Sequence, residues 1–465
     1  MFDLILQNGT IVTPRGRYRA DIGVLGGKIA CIGADLSGEA ARERLDAAGG
    51  YILPGCIDAH HHLWEPGMLA GPDFKDGTRA SVAGGVTTII DQPLSPPEVL
   101  DVSVFRAKRE LGKATSYTDF ALHAGVSDQN LDQLPGLWAA GCTAFKIFMC
   151  ESGTKVNGLF DDGKLLEAFR RIGSFGGTLM LHAENEAMLR ANYQKLAGAG
   201  RRDPLAFSEW HSPEAEAEAI HRALYLLRGT GARAVILHTT LPEGVAMVHQ
   251  ARREGLDVWV ETCPHNLYLD HEDLKRQGAW VVYAPPVRDR ARVDALWKQL
   301  SGGTIDLMGS DPGPIDPHLK RAAESDILKA PIGIPEAETF IPLMLNAAAN
   351  GWITLERLAL LAAEAPAKIY GLYPRKGAIQ IGSDADFTIA DLSETYVLRA
   401  AEMNTSCGWI PYEGKTITGR VTHTILRGRV AAERGRVLGQ PGDGHFIRRS
   451  EQSGNPAAQT IDQRS

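Results

Sequence analysis

Along residues 2 to 34, short apolar runs are separated by turn residues. Leu4 to Gln7, Ile11 to Thr13, Ile22 to Leu25 and Lys28 to Ile32 are set apart by Gly9 and the Gly26-Gly27 pair. Runs of this length between glycines predict strands of a small β unit. Near the other end Phe387 to Ala390, Val421 to Leu426 and Arg429 to Ala432 have the same form, with Gly428 at a turn. The two ends are expected to pair into one small β-sandwich domain made of residues 1–53 and 375–437. From Leu438 the chain is polar and rich in Gly, Gln and Ser, which predicts a mobile tail over 438–465.

Between the ends, apolar runs alternate with longer helical patterns, the sequence form of repeated βα units around a parallel sheet. The runs are Cys56 to Asp58, Val86 to Ile90, Phe120 to Leu122, Ala144 to Met149, Thr178 to Leu181, Ala234 to Leu237, Val258 to Glu261 and Ile305 to Met308. Helices are expected at Gly163 to Ile172, Pro213 to Leu227 and Arg290 to Leu300, among others. Eight strands suggest a closed (β/α)8 barrel over residues 54–374. An open doubly wound sheet would use the same strands, but the chain has no GxGxxG or phosphate loop to support its nucleotide-binding version.

Ionisable residues fall in register with those runs. His60 and His62 follow the first, Lys146 interrupts the fourth, and His182, His238 and Asp311 follow the fifth, sixth and eighth. In a barrel the C-terminal strand ends converge on one mouth, so side chains far apart in sequence meet there. His60 and His62 are two apart and share one side of a strand, whereas His61 points away and is the weaker candidate. Any one histidine reads as a packed or capping residue; four in register read as a ligand set for divalent metal.

Lys146 lies in an otherwise apolar strand, AFKIFM, and a charge there is poorly solvated. Two outcomes stay open: a buried ion pair, or a deprotonated amine that takes up CO2 to become an anionic carbamate able to bridge two cations. Water shared between two such cations loses a proton near neutral pH and becomes the nucleophile. Asp311 would then ligate and carry the proton to the leaving nitrogen, and no Ser or Cys nucleophile is required.

Composition narrows the picture. A net charge of −7, with no basic stripe, argues against a nucleic-acid partner. The six cysteines form no CxxC pair, which suggests neither a disulfide framework nor a Cys-based zinc site and fits a reducing compartment. The MFDLILQNGT start has no basic n-region, and nowhere do eighteen apolar residues run together. The expectation is a cytoplasmic protein without a membrane partner.

Five motifs then carry a resemblance: PGCIDAHHH at Pro54 to His62, GGVTT at Gly84 to Thr88, FKIFM at Phe145 to Met149, HAEN at His182 to Asn185 and ETCPH at Glu261 to His265. They resemble the cyclic amidohydrolases, and with APPVRD at Ala284 to Asp289 and PRKGAIQIGSDADF at Pro374 to Phe387 the likeness runs from about Asp3 to Val437. The resemblance implies two cations, zinc in this family. His60 and His62 would hold one and His182 and His238 the other, N6-carboxylated Lys146 would bridge them, and Asp311 would be ligand and proton shuttle. It also implies a homotetramer, and substrate contacts at His265, Ala284 and Pro285.

DQPLSPP at Asp91 to Pro97, LPEGV at Leu241 to Val245 and the segment Pro411 to Val430 look most like the allantoinase branch, which opens allantoin to allantoate. The alternative is a hydantoinase or dihydropyrimidinase type of ring opening; a different class, the non-catalytic scaffolds that resemble dihydropyrimidinase, lacks ligands that are all present here. Where dihydroorotases resemble one another in an Arg and an Asn that grip a carboxylate, this chain has Trp64 and Ser95. Glu151 stands where hydantoinases have Tyr, and Pro312 where the family has His after the metal-binding Asp.

Overall fold

The computed structural model describes residues 1–64, 73–156 and 161–450. Each of the eight expected runs falls on a strand. The strands are Cys56–His61, Val86–Asp91, Asp119–Leu122 continued by Ala124–Gly125, Phe145–Phe148, Thr178–His182, Arg233–Ile236, Val258–Thr262 and Leu307–Met308. Neighbours pair in parallel in chain order. The Thr143 N–H donates to the Leu122 carbonyl at 3.0 Å, joining the third strand to the fourth. The Asp311 N–H donates to the His60 carbonyl at 2.8 Å, which brings the eighth strand back to the first. The sheet is a (β/α)8 barrel.

Strand alternation divides the core. Ala59, Ile90, Ala121, Met180, Val235 and Leu307 meet inside the barrel, while Ile89, Phe120, Leu179 and Val260 pack outward among the surrounding helices. Three of those helices, Asp162–Ser174, Pro213–Leu227 and Arg290–Ser301, match the expected spans. Asp161, Ser212 and Asp289 cap them by accepting from first-turn N–H groups, a contact that satisfies donors the helix itself leaves free.

The chain ends build the second unit. Tyr51–Pro54 pairs antiparallel with Phe387–Val397, inside a seven-stranded sheet that also holds Thr10–Thr13 and Thr416–Leu426. A four-stranded sheet containing Phe2–Gln7 and Asp21–Leu25 faces it, and Leu4, Ile22, Ile52, Phe387, Ile389 and Ile425 fill the space between the two. Sequence patterning passed over Gly16–Arg19 and Ala41–Asp46, whose residues are largely exposed and polar.

Over residues 438–450 the expected mobile tail is corrected. The Ile447 N–H donates to the Phe120 carbonyl at 2.7 Å and the Phe120 N–H to the His445 carbonyl at 2.9 Å. Phe446 packs its ring on Phe105 and Phe120, and Arg449 donates to the Cys142 carbonyl at 3.0 Å. Gly442 and Gly444 add N–H bonds to the Ser116 carbonyl, both at 3.0 Å, so the stretch is docked by backbone bonds as well as by its two apolar side chains. Residues 451–465 lie outside the described residues. Among the described residues no helix is long and apolar enough to cross a membrane.

Candidate active site

All six residues expected to hold metal meet at the C-terminal mouth of the barrel. His60 Nε2 lies 3.2 Å and His62 Nε2 2.9 Å from the same Asp311 oxygen. Across the mouth, His182 Nδ1 lies 3.0 Å from His238 Nε2, and the His60 and His238 rings are 5.4 Å apart. Donor atoms held at about 2.0–2.1 Å from a tetrahedral cation are themselves roughly 3.3 Å apart, so both pairs have the spacing of shared ligands. Among the described residues no group, the nearby Asp311 oxygen included, meets buried His60 Nε2 in hydrogen-bond geometry, and buried polar atoms are rarely left so unless something else binds them. The donor set fits divalent metal, and His60, His238 and Asp311 also lie close enough together to share one ion.

Local backbone sets this arrangement. The pairing register between the first two strands is irregular from Asp58 to His61, which lets His60 and His62 face the mouth while His61 turns to Asp58, its Nδ1 at 2.8 Å. His238 and Asp311 adopt positive φ, 33° and 47°. That strained region is expensive for residues with a Cβ and is found where a site over-determines geometry. Gly309 has no side chain because a Cβ there would come within 2.5 Å of the His60 Cβ.

Lys146 is buried at 1% exposure, and no carboxylate lies within ion-pair distance among the described residues; its Nζ sits 4.8 Å from the Phe148 ring centre. Of the two outcomes left open, the buried ion pair is not what forms. Burial pulls the ammonium down to about 8, partly offset by the more distant Asp311 and Glu261. Burial likewise lowers His60 and His238 well below the usual imidazole range. Burial opposes ionisation of Asp311, but His60 and His62 outweigh it and hold the carboxyl well below its usual value.

A surrounding layer orients the set. His60 Nδ1 lies 2.6 Å from Glu261 Oε1, and the His238 N–H donates to the same oxygen at 3.3 Å. Glu184 sits 2.8 Å from His182 Nε2 and 2.9 Å from His211 Nδ1. Partners of this kind fix which ring nitrogen faces the metal. The motifs HAEN and ETCPH contain Glu184 and Glu261, and His211 lies in no motif; for Glu261 the signal was its inward place in the seventh strand, two residues beyond Trp259. His123 is a packed histidine, with Nε2 3.1 Å from the Ala59 carbonyl and Nδ1 2.9 Å from Thr143 Oγ1.

His265 is buried beside the mouth. Its Nδ1 lies 2.7 Å from Glu336, its ring 4.2 Å from that of Tyr283, and its Nε2 has no partner among the described residues. Tyr283 in turn donates to the Asp311 carbonyl, and Ala284 and Pro285 continue the chain from it. Trp64 stacks 5.8 Å from the His62 ring. Ser95 accepts from Lys108 Nζ at 2.7 Å. Glu151 is exposed.

An α/β barrel with this mouth defines a class, and sequence comparison agrees: the amidohydrolase family model matches residues 166–431, and the chain belongs to that family. It is a hydrolase of cyclic amides, as its relatives indicate. The allantoinase of Rubrobacter xylanophilus is 38% identical over 97% of this chain and 99% of its own length. The L-hydantoinase of Paenarthrobacter aurescens is 37% identical over 97% and 98%. The solved structure of the L-hydantoinase (dihydropyrimidinase) from Arthrobacter aurescens superposes with a TM-score of 0.94, at 36% identity, over 97% of this chain and all of that one.

Proposed function

We propose that the enzyme opens the ring of allantoin to allantoate, and that its six mouth residues hold two divalent cations, zinc by family resemblance, with Lys146 as a bridging carbamate. The observation that supports the reaction class is the convergence of two ligand pairs: His60 and His62 on Asp311, and His182 on His238. Likeness to allantoinases supports the substrate, as does the absence of a cationic clamp at Trp64 and Ser95, which suits a neutral ring. A second reading, a hydantoin with an apolar substituent, is favoured by the Phe148 ring stacked 4.9 Å from His182 with Leu94 in the same apolar cluster.

Bound cations supply a nucleophile at neutral pH by lowering the pKa of water, and Lewis acidity toward the amide carbonyl. Asp311, held ionised by the adjacent imidazoles, accepts the proton that the attacking water gives up. As the ring C–N bond breaks, the same carboxyl returns that proton to the departing nitrogen. Glu261 and Glu184 hold His60 and His182 in the orientation the metals need, and His265 presents Nε2 toward the substrate. Steady-state rates on allantoin, hydantoin, 5-benzylhydantoin, dihydrouracil and dihydroorotate test the reading. The expected result is the highest kcat/KM on allantoin; a preference for 5-benzylhydantoin selects the second reading, and turnover of dihydroorotate alone overturns both.

A further inference from the structure

The loop that leaves the second barrel strand is tied down almost everywhere. Asp91 turns outward to Lys108 Nζ at 2.6 Å on the helix Val102–Thr115, and its other oxygen accepts from the Leu63 N–H at 2.9 Å. The same ammonium donates to Ser95 Oγ at 2.7 Å and to the Gln92 carbonyl at 3.3 Å. The Gln92 N–H donates to the His61 carbonyl at 2.7 Å, so this residue's backbone lies against the one between two candidate ligands. Lys108 itself is 1% exposed.

In the middle of this fastened segment is one loose polar group. Gln92 is 1% exposed, and both Oε1 and Nε2 of its carboxamide lack a hydrogen-bond partner among the described residues. Strand alternation sets its direction: Ile90, two residues earlier, packs inside the barrel with Ala59 and Ala121, and Asp91 faces out, so Gln92 returns to the interior side. On the neighbouring strand the His123 N–H donates to the Asp91 carbonyl at 3.0 Å, as the Gln92 N–H does to His61 on the other side, so sheet pairing continues up to this residue. Burying both ends of an amide unpaired is costly, and a ligand offering one donor and one acceptor removes the cost.

We propose that Gln92 is a specificity-determining, substrate-binding residue that reads the ureide edge of the ring. A carboxamide presents an acceptor and a donor side by side in one plane, as glutamine does when it pairs with adenine. A cyclic ureide presents the complementary pair: Oε1 accepts from ring N1–H, and Nε2 donates to the C2 carbonyl. This edge excludes the C4–N3 bond that breaks, so the contact fixes the ring while leaving the reacting carbonyl to the mouth. The assignment rests on the reading of a hydantoin-type ring as substrate.

The test crosses a variant with a substrate change. Gln92→Met keeps the side-chain volume and removes both hydrogen bonds, and 1-methylhydantoin removes the N1–H. The expected result is a KM for hydantoin raised roughly 10- to 100-fold in Gln92→Met with a smaller change in kcat, as befits loss of ordinary binding contacts. The wild type should prefer hydantoin to 1-methylhydantoin at least about tenfold, and Gln92→Met should lose that preference. Bound metal per chain and thermal midpoint, measured on the same samples, show that the variant is folded and loaded. Unchanged KM in a loaded variant overturns the assignment, as does the same N-methyl discrimination in both proteins. Should Gln92→Met not fold, wild type that is indifferent to N1-methylation overturns it alone. Wild type inactive on every hydantoin-type ring sinks the substrate reading and this assignment together.

Discussion

Two buried lysines sit at opposite ends of the barrel, and their surroundings differ in kind. Lys376 meets three carboxylates at the floor: Asp119 at the start of the third strand, Asp386 at 2.5 Å and Asp384 at 3.0 Å, with Arg427 completing the balance on Asp119. Burial works against its charge, but Asp386, Asp119 and Asp384 outweigh it and raise the ammonium above its usual value. Lys146, at the mouth, has no such partner among the described residues and is lowered instead. The same three aspartates have the spacing of a metal cage, yet Lys376 already fills it. The floor shows a cluster in which the protein supplies every counter-charge and the result is an anchor; the mouth shows one left electrically incomplete, which is the state a metal site needs.

The sharpest test of that contrast is Lys146→Ala. Activity should fall by about a thousandfold or more, equivalent to about 4 kcal/mol of barrier, and metal per chain should drop, while the thermal midpoint of the metal-free protein barely moves. Metal analysis beside kcat checks it; a loaded and fully active variant would remove the bridging role. Lys376→Met should do the reverse. Asp386 loses its cation, while Asp119 keeps Arg427 and Asp384 keeps Lys28 and Arg375, at a cost of about 3–5 kcal/mol in unfolding free energy, and activity per folded, loaded molecule stays at the wild-type level in denaturant titrations paired with assays.

The smallest effect concerns pH. Asp384 is lowered from 3.8 to about 2, because Lys376 and a hydrogen bond from Lys28 overcome the opposing effect of burial. A depressed carboxyl contributes stability above its unfolded value and loses it as pH falls toward the folded one. The gap in melting temperature between wild type and Asp384→Asn should therefore be widest above about pH 4 and narrow as pH is taken down to about 2. A gap that stays constant through that window would mean the contact is not an ionic one.

Much of the barrel and the candidate site was legible along the chain. Short continuous apolar runs between helical patterns located the eight strands to within a few residues, because a barrel strand packs on both of its faces and so reads as a nearly unbroken apolar stretch. His60, His62, His182, His238 and Asp311 stood out for a related reason: each closes a strand, and barrel topology carries strand ends to one place. Lys146 was visible as a charge in apolar surroundings, but that no carboxylate among the described residues pairs with it emerged only with its neighbours in place. The docked segment 438–450 was missed because its composition is that of a tail, and its partners, Phe120 under Phe446 and Ile447, Ser116 under Gly442 and Gly444, and Cys142 under Arg449, lie some 300 positions away in the chain.

The order of residues thus determined the elements, their sequence around the barrel and which side chains reach its mouth, all of which follow from short-range periodicity. Folding alone decided which of those side chains are answered. Glu261 against His60 spans 201 positions, and Lys376 against Asp119 spans 257. No local pattern encodes a meeting across such distances, because it depends on how every intervening strand and helix packs.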